Sequence, residues 1–251
     1  MNKVLEEHGV VYYDYERQRY PFINLFQDLY QVNRLDMVHT ILDKGFIEKI
    51  NDTLFTNKTD DQTALHKAFY DKINNGWPQF EQLYGQFVKQ MAQDVFNTDE
   101  IIYQTKPTFR VQLPNNVAVG GQEKDRGTPP DLLYGFHRDT DSEYNHPPFE
   151  KNFILPLTDA SESASLYIET SPDSGEFYCT KMRKGQFFNF NGGQCLHGNR
   201  PNKTGKTRMS FDFRVILKED YDQAYLKTSK LTNRKFLIGD YYSISNQGSE
   251  K

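Results

Sequence analysis

A histidine and an aspartate stand two residues apart in the segment YGFHRD, as His137 and Asp139. In a strand, residues i and i+2 point to the same face, so both side chains can bind one metal ion. Taken alone, this pair favours a hydrogen-bonded histidine at the end of a strand. His197, which follows Gly192–Gly193, is the best candidate for a third ligand. Two histidines and one carboxylate leave coordination positions open, a set typical of non-haem Fe(II) in oxygenases.

A second polar group follows the third ligand candidate. Ten residues separate His197 from Arg208, which lies in the alternating segment Thr207–Leu217. One face of this predicted strand is apolar, and the other carries Arg208, Ser210, Asp212 and Arg214. Such a strand is ordinary if its polar face meets water. If that face points into a barrel, Arg208 can grip a carboxylate through two hydrogen bonds and Ser210 can add another. An Fe(II) site with a dicarboxylate co-substrate needs such a fixed fork for the distal carboxylate.

These residues together resemble the Fe(II)/2-oxoglutarate-dependent dioxygenases, most closely the small-molecule oxygenases related to the streptomycin-biosynthesis dioxygenase. The resemblance implies that His137, Asp139 and His197 bind Fe(II), and that Arg208 and Ser210 bind 2-oxoglutarate. It also implies that O2 is consumed, that 2-oxoglutarate becomes succinate and CO2, and that a substrate C–H bond is hydroxylated. Halogenases of the superfamily lack the carboxylate ligand, so Asp139 argues for hydroxylation or another oxidation.

The order of patterns along the chain predicts the fold. Apolar residues such as Phe87 and Met91 recur at helical spacing before residue 100, and short strand-like runs separated by Gly, Pro, Asn and Asp follow it. With the resemblance, this predicts an all-β core with helices (α+β), namely a double-stranded β-helix (a cupin-like jelly roll) buttressed by the N-terminal helices. We expect one domain over 1–251, divided into an extended arm (1–23), a helical scaffold (24–100), the β core (101–218) and a C-terminal segment (219–251).

Further polar residues are candidates for binding the co-substrate or the substrate. The Asn152 amide either hydrogen-bonds 2-oxoglutarate or belongs to an ordinary strand edge. Arg214 lies too far along its strand to grip the same carboxylate as Arg208, at about 3.3 Å per residue. It therefore binds an acidic substrate group or pairs with an acid such as Asp212. The remaining substrate candidates are Arg110, Gln112 and Arg126. Arg126 lies in the segment 114–130, which is either a lid or a plain surface loop.

Composition excludes several classes of protein. The 251 residues carry 30 Lys+Arg and 34 Asp+Glu, a formal charge of −4, which argues against a duplex-binding protein. No apolar run is long enough to span a membrane, and the first residues do not resemble a secretory signal. Only Cys179 and Cys195 are present, which fits a reducing compartment, so we expect a cytoplasmic protein. The oligomeric state stays open.

The function that best fits these patterns is an Fe(II)- and 2-oxoglutarate-dependent hydroxylase of a small polar metabolite. An amino acid, or a sugar or cyclitol derivative, is the expected substrate class. Two alternatives stay open from the sequence. One is a peptide or protein side-chain hydroxylase of the same superfamily, which would use the same metal ligands. The other is a non-redox, cupin-like protein that binds a metal or a carbohydrate, although such sites usually use more histidines and give Arg208 and Ser210 no task.

Overall fold

The computed structural model describes residues 1–41, 64–115, 134–225 and 227–245. Its helices are α1 (Phe22–Tyr30), α2 (Ala64–Asn74) and α3 (Pro78–Phe96). Short 3-10 turns lie at Leu35–Ile41, Glu162–Ala164 and Lys218–Asp220. The strands are β1 (Asn2–Glu7), β2 (Val10–Asp14), β3 (Ile101–Gln104), β4 (Thr108–Gln112), β5 (Tyr134–His137), β6 (Lys151–Pro156), β7 (Leu166–Glu169), β8 (Phe177–Cys179), β9 (Gln186–Phe190), β10 (His197–Asn199), β11 (Arg208–Leu217) and β12 (Tyr242–Ile244). No helix in these ranges is long and apolar enough to cross a membrane.

The strands form two antiparallel sheets. The larger has the order β1-β2-β9-β6-β11-β3-β12, with β4 also paired to β11, and the smaller has the order β5-β10-β7-β8. Strand β11 is central because it pairs with β6 on one edge and with β4 and then β3 on the other. It is thereby the strand that carries both predicted binding residues, Arg208 and Ser210, into the middle of the larger sheet.

The helices pack on the outer face of the larger sheet, through aromatic side chains. Phe80, Phe87 and Met91 of α3 recur at helical spacing and are fully buried. Phe211 of β11 meets Phe22 at a ring-centroid distance of 5.2 Å and Phe80 at 6.0 Å. Full burial of one such ring contributes about 1.5–3 kcal/mol to folding. This layer fixes the orientation of β11, so that its other face points away from the helices.

Apolar side chains also fill part of the space between the two sheets. Ile154 of β6 and Phe188 of β9 pack in one buried cluster with Leu166 and Ile168 of β7. The two sheets therefore lie face to face. At one end of the larger sheet, residues of the C-terminal segment, among them Tyr242, pack against β3 and β11. The C-terminal segment therefore packs on the β core.

The structure confirms antiparallel sheets accompanied by a few helices. The predicted strand Thr207–Leu217 is confirmed as β11, which begins one residue later. The residues of the predicted extended arm, 1–23, form β1, β2 and the start of α1, and β2 pairs with β9. The helical region contains α2, α3 and most of α1, although residues 42–63 lie outside the described ranges. Most of the predicted 114–130 loop, including Arg126, also lies outside them.

Candidate metal centre

The three predicted metal ligands come together in the smaller sheet. His137 ends β5 and His197 begins β10, and these two residues are directly paired in the antiparallel register. Asp139 follows two residues after β5. One ligand atom from each of the three side chains lies within 4.8 Å of the other two. The Oδ1 atom of Asp139 is 3.5 Å from Nε2 of His137 and 3.6 Å from Nε2 of His197. Two imidazole nitrogens and one carboxylate oxygen thus converge as a cation requires.

Glycines make this convergence possible at two points. A Cβ on Gly198, the residue after the second histidine, would lie 2.2 Å from the ring of Phe136, so no other residue fits between the strands there. The carbonyl of Gly192 accepts a hydrogen bond from the backbone N–H of Asp139 at 2.8 Å. A Cβ on Gly192 would lie 2.9 Å from the side chain of Asn152. The Gly-Gly turn before His197 therefore holds the aspartate in place.

The state of His197 suits metal binding. Burial first, and then the neighbouring His137, lower the pKa of His197 to about 4, so its imidazole is neutral at neutral pH. Its Nδ1 lies 3.1 Å from the carbonyl oxygen of Cys195, which can only accept a hydrogen bond. The proton is therefore on Nδ1 and the lone pair on Nε2, which faces Asp139. The ring of Tyr144 stacks on His137 at 4.2 Å and restricts the rotation of that ligand.

Asp139 is buried and ionised. Burial alone would raise the pKa of this carboxyl group, but the guanidinium of Arg214 and the surrounding imidazoles hold it well below the usual range. Its Oδ2 atom accepts a hydrogen bond from Nδ2 of Asn152 at 2.5 Å and from Nη2 of Arg214 at 3.0 Å. The carboxylate thus supplies the negative charge that a divalent cation needs.

Arg208 is a buried cation with unmet hydrogen-bonding capacity. Its side chain is 2% exposed, and its Nη2 donates to Oγ of Ser210 at 3.1 Å. Among the described residues, its Nε and Nη1 have no hydrogen-bond partner. Burial, and then the charge of Arg110, lower the pKa of Arg208 to about 10, which still leaves it charged at neutral pH. Because a buried charge without partners is costly, these two donors fit an anionic ligand such as the distal carboxylate of 2-oxoglutarate.

The other predicted residues are engaged with protein groups. Arg214 donates to Asp212 at 2.5 Å and also to Asp139. Arg110 donates to Asp212 at 2.8 Å, and Gln112 donates to the carbonyl of residue 200 at 2.5 Å. The roles of Arg110, Gln112 and Arg214 toward a substrate stay predictions, as does that of Arg126.

Two contacts of this centre were not found from the sequence. The sequence left Asn152 either on 2-oxoglutarate or at an ordinary strand edge, and the donation from its Nδ2 to Asp139 was not foreseen. Its contact with 2-oxoglutarate stays a prediction. The pairing of Arg214 with Asp139 was also missed, because the two residues are 75 positions apart. The available signal was that Asn152 and Arg214 each belong to a strand with a polar inner face. Which polar groups face each other depends on the strand register, and the register cannot be read from the sequence alone.

The chain is similar to known proteins in sequence and in structure. No protein-family model matches the chain. The streptomycin biosynthesis protein StrG of Streptomyces griseus is 30% identical over 223 residues, which cover 88% of this chain and 97% of StrG. Among solved structures, the α-ketoglutarate-dependent carbocyclase SnoK from nogalamycin biosynthesis matches with a TM-score of 0.48 and 11% identity, over 94% of this chain and 91% of SnoK. HygX of Streptomyces hygroscopicus, with nickel, 2-oxoglutarate and hygromycin B bound, matches with a TM-score of 0.45 and 13% identity, over 94% of each chain.

The similarity to StrG spans almost all of both chains and includes the segment that carries the three clustered ligands and the buried arginine. The protein is a non-haem Fe(II)/2-oxoglutarate-dependent enzyme, and its cofactors are Fe(II), 2-oxoglutarate and O2. The chain belongs to the Fe(II)/2-oxoglutarate-dependent dioxygenase superfamily, in the group that includes StrG.

Proposed function

We propose that this enzyme hydroxylates a C–H bond of a small polar metabolite, with succinate and CO2 as co-products. The observation that carries the proposal is the convergence of His137, Asp139 and His197 within 4.8 Å, in a molecule that also holds the unsatisfied guanidinium of Arg208. A metal site explains the cluster of three ligands, and a carboxylate-bearing co-substrate explains the buried guanidinium of Arg208. Asp139 favours hydroxylation over halogenation, because it occupies the position that a halide would need.

The fold we propose for the β core is the double-stranded β-helix. Two antiparallel sheets that face each other, with apolar side chains between them at one end, support it. The metal ligands come from the smaller sheet and the loop after β5, and Arg208 comes from β11 of the larger sheet. We propose a single domain with the helices as its outer layer, since α3 and β11 share one core.

Each protein group has a defined part in the proposed reaction. When bound, Fe(II) supplies the activation of O2 at the expense of 2-oxoglutarate. His137 and His197 present Nε2 to the metal, and Asp139 presents Oδ1. Arg208 would hold the distal carboxylate of 2-oxoglutarate with its N–H donors, and its hydrogen bond to Ser210 would fix the orientation of the guanidinium. Holding the reactants in one geometry is the main contribution of the protein to the rate.

The proposed substrate is an amino acid or a sugar or cyclitol derivative. The relationship to StrG, a protein of streptomycin biosynthesis, favours the sugar and cyclitol branch. Among the predicted substrate residues that the structure describes, we favour Arg110 for contact with the substrate, because its side chain is 27% exposed. We propose the cytoplasm as the place of action, since Cys179 and Cys195 are both free thiols.

Anaerobic titration with Fe(II), with and without 2-oxoglutarate, tests the cofactor assignment to these residues. We expect a visible charge-transfer band that needs both components and disappears in the variant His197→Ala. The substrate class is then tested by screening amino acids, sugars and cyclitols for stimulated succinate formation, with mass spectrometry of the product. A product that has gained one oxygen atom supports hydroxylation. A band that persists in His197→Ala, or a product without added oxygen, would contradict the proposal.

A further inference from the structure

The two oxygen atoms of Asp139 have different surroundings. Oδ1 faces the Nε2 atoms of both histidines, at 3.5 and 3.6 Å. Oδ2 points the other way and accepts two hydrogen bonds, one from Nδ2 of Asn152 at 2.5 Å and one from Nη2 of Arg214 at 3.0 Å. Only one oxygen of this carboxylate is therefore directed at the metal position.

The two donors come from adjacent strands in register. Asn152 of β6 and Arg214 of β11 are paired residues in the larger sheet, so their side chains leave the sheet side by side. Both are buried, with 4% and 6% exposure. The sheet thus delivers two hydrogen-bond donors to one point, on the side of Asp139 opposite the histidines.

Arg214 is itself held by a second acid. Its Nη1 donates to Oδ2 of Asp212 at 2.5 Å, and Oδ1 of Asp212 accepts from Nε of Arg110 at 2.8 Å. The buried charges thus alternate from Asp139 through Arg214 and Asp212 to Arg110. Because each charge has an opposite partner, the arrangement resists rotation of the Arg214 side chain.

The way in which Asp139 binds the metal determines how many coordination positions stay open. A six-coordinate ion with three protein ligand atoms keeps three positions open. A bidentate co-substrate and O2 need all three. If Asp139 bound through both oxygens, one of those positions would be lost. Hydrogen bonds to a charged group are among the stronger ones in proteins, so the two bonds to Oδ2 oppose such a rotation.

We propose that Arg214, with Asn152, is a positioning residue that keeps Asp139 a monodentate ligand and so preserves the coordination position that O2 needs. The proposal rests on the metal site proposed above. Arg214 acts through Asp139 and touches neither the metal nor the substrate in this role. In this role the Asn152 amide acts through the metal ligand Asp139.

Mn(II) provides a test that does not depend on turnover. Its affinity is measured from the free-ion signal in electron paramagnetic resonance, and water-proton relaxation reports the number of exchangeable waters on the bound ion. In Arg214→Gln we expect Mn(II) affinity to fall about 10- to 100-fold, which is typical for loss of an outer-sphere partner. We also expect fewer exchangeable waters per bound ion, because Asp139 becomes free to bind through both oxygens. Arg214→Lys should restore part of both quantities.

Controls separate this inference from the proposed function. Arg34→Gln makes the same chemical change in an exposed arginine paired with Asp36 and should match the wild type in both readouts. Asn152→Ala removes the other donor without removing a charge, and should shift both quantities in the same direction by a smaller factor. It serves as the test if Arg214→Gln does not fold.

The outcomes are distinct. Unchanged affinity and water number in a folded Arg214→Gln or Asn152→Ala would overturn the positioning role while leaving the metal site intact. If His197→Ala bound Mn(II) as tightly as the wild type, the proposed metal site would be overturned instead.

Discussion

The two faces of strand β11 are both buried but differ in chemistry. The outer face presents Met209, Phe211, Phe213 and Val215 to the helices, all fully buried in the main apolar core. The inner face presents Arg208, Ser210, Asp212 and Arg214, also buried. The outer residues contribute to stability by removing apolar surface from water. The inner residues are buried at a cost that their mutual pairs only partly offset.

This difference separates the determinants of stability from those of binding within ten residues. Packing of the helical layer on the outer face offsets the free-energy cost of burying charged groups on the inner face. The inner face can therefore carry ligand-binding groups. Changes on the two faces should therefore have opposite signatures. Outer changes should reduce stability and spare ligand affinity, whereas inner changes should do the reverse.

The largest expected effect is that of Phe211→Ala on the outer face. The ring is fully buried and contacts aromatic rings of α1 and α3, so its loss should lower the free energy of unfolding by about 3–5 kcal/mol. Urea unfolding followed by circular dichroism measures this change, and Mn(II) affinity of the folded protein should stay at the wild-type value. Val4→Ala, at an exposed position, is the control and should stay within about 0.5 kcal/mol. A weakened metal site in Phe211→Ala would break the separation of the two faces.

Arg208→Met on the inner face should spare stability and abolish the binding of 2-oxoglutarate. Without ligand, removal of a buried guanidinium with two unpartnered nitrogens should leave stability unchanged or raise it by about 1–4 kcal/mol. The wild type should gain about 2.7 kcal/mol from 2-oxoglutarate at one hundred times its dissociation constant, and the variant should gain nothing at that concentration. Thermal unfolding with and without 2-oxoglutarate measures both effects. Equal stabilisation of the two proteins by the ligand would place the carboxylate fork elsewhere.

The smallest expected effect, counted per pH unit, concerns the buried His66 in the outer layer. Burial lowers the pKa of His66 to about 3, against an ordinary value of 6.5. Between these values the unfolded chain binds a proton that the folded protein does not. The contribution to stability is therefore complete above pH 6.5 and falls by about 1.4 kcal/mol per pH unit as the pH drops toward 3.

His66→Gln should remove that part of the pH dependence. Urea unfolding at a series of pH values from 4 to 7 measures the slope, and His8→Gln, at an exposed position, is the control. A slope that is identical in wild type and His66→Gln would mean that the helical layer admits the charged imidazole.

The sequence predicted the metal ligands and the buried arginine better than the residues that hold them in place. The spacing from His137 and Asp139 to His197 and on to Arg208 identified the clustered groups, because ligand chemistry restricts residue types strongly. Alternation predicted the faces of β11 correctly. The hairpin β1–β2 was read only as an extended arm, since its polar residues give no clear apolar face. The contacts of Asn152 and Arg214 with Asp139 depend on the crossing of two sheets, which no local pattern encodes.

The pairing of β2 with β9 has a consequence for how the chain folds. Val11 pairs with Asn189, and the central strand β11 begins only at residue 208. Contacts between such distant positions require the closure of very long loops, which slows folding. During synthesis the N-terminal hairpin must wait, without its partner, until about three-quarters of the 251 residues have been made. The short strand β1, which carries Lys3, Glu6 and Glu7, covers the other edge of β2, so only the edge that later pairs with β9 stays open during this time.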